Sequence, residues 1–159
     1  MKRPEGVFII SSPLDTAMLA QKVRALLPSA RLYTAPWAIS RALIENGGEA
    51  VEGMQFYVPY IANDTSPVYR SYHRRFTERF GEEPTHVSIF NYEAIRLVAG
   101  GLSAAPAHTP DALKAALLSM GSFEGLQSHF TLDANGDAQR PLYLHEIRNR
   151  TFTPIPDDA

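Results

Sequence analysis

Val7-Phe8-Ile9-Ile10-Ser11-Ser12-Pro13-Leu14-Asp15 is the stretch on which the fold turns. Its first four residues are apolar and uncharged, the pattern of a strand buried on both faces of a parallel sheet. Ser11 and Ser12 open a turn. Pro13 suits the first position of a helix, where its missing N–H costs nothing. Asp15 sets negative charge near the positive end of the helix dipole. Open parallel sheets bind ligands beyond the carboxyl ends of their strands, so Ser11, Ser12 and Pro13 are the first candidates for function. The same residues also read as an ordinary strand-to-helix turn.

Outward from this stretch, Leu19, Val23, Leu26 and Leu27 repeat with the period of one helix face, and Pro28-Ser29 ends that helix. Arg31 to Ala35 reads as a second strand, with Pro36-Trp37 in the loop at its carboxyl end. Ile39 to Glu45 reads as a short helix stopped by Asn46-Gly47-Gly48. Met54 to Val58 is a third strand. The order β-α-β-α-β predicts right-handed crossovers. Pro59 to Pro67 holds two prolines and a cluster of turn formers, which reads as a hinge. Three helices follow. Tyr69, Tyr72, Phe76 and Phe80 form the stripe of the first. Phe90, Ala94, Leu97 and Val98 form that of the second, and Leu113, Ala116, Leu117 and Met120 that of the third. Two alternating stretches, Ser128 to Leu132 and Leu142 to Ile147, then predict strands, the latter in a hairpin with Thr151-Phe152-Thr153.

Composition narrows the function classes. The 159 residues suffice for a sizeable core, and the net charge of −2 gives no electrostatic case for nucleic acid or an anionic membrane. The absence of cysteine excludes a disulfide framework, a thiolate metal site and a cysteine nucleophile. Met1-Lys2-Arg3-Pro4 is basic, but no long apolar region follows, so it makes a poor secretory signal. A cytoplasmic chain, or one whose natural beginning is missing, is the expectation.

Catalytic chemistry finds no foothold. The Ser-Ser-Pro turn lacks the glycines of a dinucleotide site, and there is no Gly-x-Ser-x-Gly elbow. The five histidines never pair at metal-ligand spacing. Asp133 to Asp137 resembles the start of a calcium loop, but its glycine stands fourth and Leu144 occupies the twelfth position, so a β-turn is expected. No catalytic residue, metal or cofactor is expected. What remains is recognition: hydroxyls and aromatic rings where strands end, at Ser11, Ser12, Trp37, Tyr57 and Tyr60, with Asn91 and Tyr92 on the second long helix. Core or hinge packing is the other reading of Trp37, Tyr57 and Tyr92.

The order of these motifs resembles the C-terminal half of type I periplasmic solute-binding proteins, the branched-chain-amino-acid-binding family of ABC transporters. The resemblance rests on Gly6 to Asp15, Gly48 to Met54, Tyr69 to Gly81, Tyr92-Glu93-Ala94, Phe123-Glu124-Gly125 and Phe130 to Asp137. It implies an α/β fold: a parallel βαβαβ unit followed by helices and a C-terminal β-hairpin. By resemblance, residues 1–59 are part of a second lobe and 60–67 the hinge. Residues 68–135 are the helical part of a first lobe, and 136–159 a hairpin near the hinge. Carried over, ligand contacts fall at Ser12, Pro13, Trp37 and Ala38, and at Phe90, Asn91 and Tyr92.

The resemblance implies a periplasmic, non-enzymatic solute-binding component whose partners are a small-molecule ligand and an ABC permease. Amino-acid binders of the family carry an acidic side chain near the position of Trp37; none stands here, and an aromatic or other organic acid fits better. A cytoplasmic ligand-sensing regulator on the same fold and a small α/β enzyme are the alternatives. An incomplete lobe leaves apolar faces bare. Two outcomes follow: a homodimer that buries them, or helices folded back over their own sheet.

Overall fold

The computed structural model describes residues 4–61 and 64–156, so Ala62 and Asn63 of the expected hinge lie outside the described residues, as do positions 1–3 and 157–159. In chain order the elements are β1 (Gly6–Ile9), α1 (Pro13–Leu26), β2 (Arg31–Thr34), α2 (Arg41–Gly47), β3 (Gln55–Val58), α3 (Pro67–Phe80), α4 (His86–Ala104), α5 (Pro110–Ser119), β4 (Ser122–Glu124), β5 (His129–Leu132), β6 (Ala138–Gln139), β7 (Tyr143–Arg148) and β8 (Thr151–Pro154). Single 3-10 turns occupy Pro36–Ala38 and Gly48–Val51. Contacts divide the chain into two units, Met1–Ala62 with Leu142–Ala159, and Asn63–Pro141. This is the expected mixed α/β architecture.

In the first unit, five strands lie in the order β1-β2-β3-β7-β8. The first three run parallel, while β7 is antiparallel to β3 and β8 to β7. Ser12 caps α1 by accepting from the Asp15 N–H at 3.2 Å. At the other end of α1 the Arg24 guanidinium gathers the loop carbonyls of Ala30 (2.6 Å), Glu52 (3.2 Å) and Ala50 (3.3 Å). Leu32, Leu43, Val51, Met54, Phe56, Val58 and Ile147 form a closed core with Ala17 and Ala20. The turn between β7 and β8 needs positive φ at both Asn149 (52°) and Arg150 (59°), as two-residue hairpin turns do. The Glu52 carboxylate accepts from both of their N–H groups, at 3.0 and 2.8 Å, and so holds that conformation.

Two sequence expectations are corrected here. β1 is not buried on both faces: it is the edge strand, with Ile9 turned into the core and Phe8 59% exposed. The successive crossovers lay α1 and α2 against each other on one side of the sheet, so the opposite face has no layer over it. The stripe of α1 is also rotated. Thr16, Ala17 and Ala20 are buried, whereas Leu19 and Leu26 face out. Small residues let the helix approach closely where leucines would hold it off.

In the second unit, each helix begins at a hydroxyl cap. Ser66 accepts from Tyr69 N–H, Thr85 and Ser88 form a reciprocal capping box, and Thr109 accepts from Ala112 N–H. Gly81 (φ 70°) lets the chain leave α3 in the left-handed conformation. Tyr72, Ile89 and Leu126 are the buried centre, ringed by Tyr69, Phe76, Phe90 and Tyr92. The inward face of α4 is Ile89, Glu93 and Gly101 rather than the expected Phe90-Ala94-Leu97-Val98 stripe. β4, β5 and β6 form an antiparallel sheet, with Phe123 stacked on Phe130 at 5.4 Å between ring centres. The Asp133 carboxylate accepts from Asn135 N–H and Asp137 N–H at 2.8 and 2.9 Å, the expected β-turn. Because Ala138–Gln139 pairs with β5, the C-terminal hairpin starts at Tyr143 rather than at 136.

Candidate functional site

Parallel strands β1 and β2 are neighbours, so the loops at their carboxyl ends lie side by side. The first loop carries Ser11, Ser12 and Pro13, the second Pro36, Trp37 and Ala38. Ser12 is exposed, but its hydroxyl is engaged: it donates to the Asp15 carboxylate at 2.7 Å while accepting from the Asp15 N–H. Pro13 is half-buried at the start of α1. In the 3-10 turn, Ala38 is fully buried and anchors the segment, while Trp37 is 61% exposed. An indole that size left in water is not core packing, which removes that reading for Trp37. Tyr57 is likewise more than half exposed. Across the first strand pair the Thr34 hydroxyl donates to the Ile9 carbonyl at 3.0 Å and fixes the end of β1 from which this loop departs.

Phe90, Asn91 and Tyr92 occupy one turn of α4 in the second unit. Tyr92 packs on Tyr72 at 4.9 Å between ring centres, and the Arg140 guanidinium lies 5.1 Å from the Phe90 ring centre. Asn91 is exposed. Their neighbour Glu93 was not foreseen as a buried group. One of its oxygens accepts from Leu126 N–H at 2.7 Å and the other from Arg140 at 2.8 Å. Arg140 also sits over Phe130 at 4.3 Å. The signal was present: Glu93 stands four residues after Ile89, where an apolar residue belongs. A cleft of about 180 Å3 beside Glu93 is bordered by Arg96, Ser122, Glu124 and Phe130. That is below the range of about 300–1,000 Å3 typical of ligand pockets.

His145 is the second unforeseen group. It is fully buried, stacked on Phe56 at 5.9 Å and beside Tyr60 at 6.1 Å. Its Nδ1–H donates to the Tyr143 carbonyl at 3.2 Å, and its Nε2 has no partner. Burial pulls the imidazole below its ordinary pKa, and the Tyr143 hydrogen bond opposes this in part. Burial also pushes the Tyr60 hydroxyl up. The folded state therefore favours neutral His145. Stability is full above the unfolded-state value of about 6.5 and falls as pH drops from there toward the lowered folded value. Urea unfolding followed by Trp37 fluorescence should show a loss of up to about 1.4 kcal/mol per pH unit below about pH 6.5. His145→Phe should flatten that slope.

Among the described residues, no cluster of histidine, aspartate or glutamate could hold a metal ion, and no helix is long and apolar enough to cross a membrane.

The sequence profile of the periplasmic binding protein family matches residues 1–151. No curated protein matches. Among solved structures, the leucine-binding protein LivK of Thermotoga maritima is 24% identical with a TM-score of 0.82, over 98% of this chain and 46% of its own. LivJ of Streptococcus pneumoniae, solved with isoleucine, is 14% identical with a TM-score of 0.75, over 97% of this chain and 45% of its own. An R. palustris ABC transporter solute-binding protein, solved with benzoate, is 17% identical with a TM-score of 0.72, over 96% of this chain and 42% of its own. The chain thus spans under half the length of the structures it matches.

Proposed function

This chain belongs to the periplasmic binding protein family, and from that premise we propose that it is a non-enzymatic solute-binding part of an ABC transport system. The observation that carries this reading is Trp37, exposed at the carboxyl end of β2 beside the capped start of α1. A large aromatic wall with a few polar neighbours suits a small organic ligand. The first unit contributes to a second lobe, with Ser12, Pro13, Trp37 and Ala38 as its ligand surface. The second contributes to a first lobe, through Phe90, Asn91 and Tyr92. Segment 60–67 is the hinge, and a permease in the membrane is the partner of a protein acting in the periplasm.

No acidic side chain follows Trp37 before Glu45 to pair with a ligand ammonium. An aromatic carboxylate therefore fits better than an amino acid. The benzoate bound to one structural relative and the isoleucine bound to another define the two probes. Benzoate is expected to raise the melting temperature and quench Trp37 fluorescence more than isoleucine does. Trp37→Ala should keep the fold and weaken benzoate binding at least about tenfold, the loss usual for a buried aromatic contact. An unchanged benzoate response in that variant removes Trp37 from the site. A parent chain that responds to neither probe rules out solute binding by this chain alone.

A further inference from the structure

Two apolar surfaces of this chain have no covering layer, and they are of complementary kinds. The first is the sheet face opposite α1 and α2. Phe8, Ile10 and Tyr57 on it are all more than half exposed. Register puts Tyr33 level with Phe8, and Leu144 level with Tyr57, on that same face. The second is a stripe on α4 made by Val87, Ile95, Val98 and Leu102, of which Ile95 is 72% exposed. At about 100° per residue these four fall within roughly a quarter to a third of the helix circumference. The charged Glu93 and Arg96 project elsewhere on α4, so the stripe is uncharged. A sheet face is covered by helices, and a helix stripe packs on a sheet.

We propose that this chain forms a closed two-fold dimer in which α4 of each copy packs on the uncovered sheet face of the other. One chain carries both halves of the contact, so a two-fold pairing fills every patch and leaves none to propagate. Taking roughly 150–250 Å2 for a large exposed side chain, the exposed residues of both patches offer about 700 Å2 per copy. A standard stable interface takes about 800 Å2 per partner. Either patch alone falls well short of that. The dimer does not depend on the solute-binding reading.

The test is size exclusion with light scattering on the 159-residue chain. The expected mass is twice the 17.6 kDa of one copy, with concentration-dependent dissociation. Ile95→Glu and Tyr57→Lys each place a charge in the contact. Each should raise the dimer Kd at least about a hundredfold while leaving the circular dichroism spectrum unchanged. Mixing the two variants should restore a dimer. One sheet–helix pair in it is unaltered, and the other sets the new glutamate against the new lysine. If either variant loses its helical signal, Val87→Glu and Phe8→Lys carry the same test. A parent chain that stays monomeric at about 100 μM overturns the proposal, because interfaces of this size normally hold at that concentration. A dimer indifferent to either substitution overturns it, as does assembly that grows open-ended with concentration.

Discussion

Glu93→Ala is expected to destabilise the second unit by about 3–5 kcal/mol, the usual penalty for stranding one partner of a buried ion pair. Arg140 keeps only 12% of its side-chain exposure and Glu93 only 6%, so water cannot replace the lost carboxylate. The guanidinium would remain against Phe90 and Phe130 with its charge uncompensated, and Leu126 N–H would lose its acceptor. Gly125 makes the arrangement specific: a Cβ there would come within 2.6 Å of the Glu93 carboxylate and 2.5 Å of the Ser128 carbonyl. Glu93→Gln keeps an acceptor for Leu126 and should cost less, about 1–3 kcal/mol. The double replacement Glu93→Leu with Arg140→Met removes both charges and should recover most of the loss. Urea titration by far-UV circular dichroism ranks the three. Equal losses for the Ala and Gln variants would assign the effect to packing rather than charge.

Leu32→Ala should cost about 2–5 kcal/mol in the first unit, as large-to-small changes in closed cores do. Leu32 is completely buried on β2, a strand with partners on both sides, under α1 and α2. Rigid strands on either side leave little freedom to collapse into the vacated volume, which argues for the upper half of that range. Leu19→Ala supplies the control. It removes the same atoms from α1 at a position open to water, and it should change stability by less than about 0.5 kcal/mol. Trp37 fluorescence reports the unfolding of this unit specifically, since Trp37 is the sole tryptophan. A Leu32→Ala loss near that of Leu19→Ala would mean that the core is far looser than its burial indicates.

Local signals were legible because their causes are local. The pairs Ser12-Pro13, Ser66-Pro67 and Thr109-Pro110 announce helix starts through a cap and a fixed φ, and all three helices begin there. Glycines past helix ends and the Asp133 turn were readable for the same reason. The exposure of β1 was not, because a run of four apolar residues has no period to show which face is covered. Whether a layer lies above Phe8 depends on strand order and on which side the crossovers put α1 and α2. β4 and β6 are too short to leave a pattern. Trp37 was legible as a candidate from its place after a strand, yet its exposure depends on Ala38 being the residue that anchors the turn. Arg140 gave no sign of its partner, which lies 47 residues earlier.

The first unit is built from the two ends of the chain, and this sets an order for synthesis on the ribosome. Residues 4–61 emerge first, but the strand that pairs with β3 and supplies Ile147 to the core comes from the last part of the sequence. The Glu52 carboxylate waits 97 residues for the Asn149 N–H it holds. The second unit is one continuous stretch and can complete its contacts while the first is still unfinished. Until β7 arrives, β3 presents a bare strand edge, and the nascent chain is at its most prone to mispairing. Closure of that long loop is a late and slow step. Ribosomes stalled shortly before residue 143 should therefore carry a protease-resistant second unit on a first unit that is still digestible.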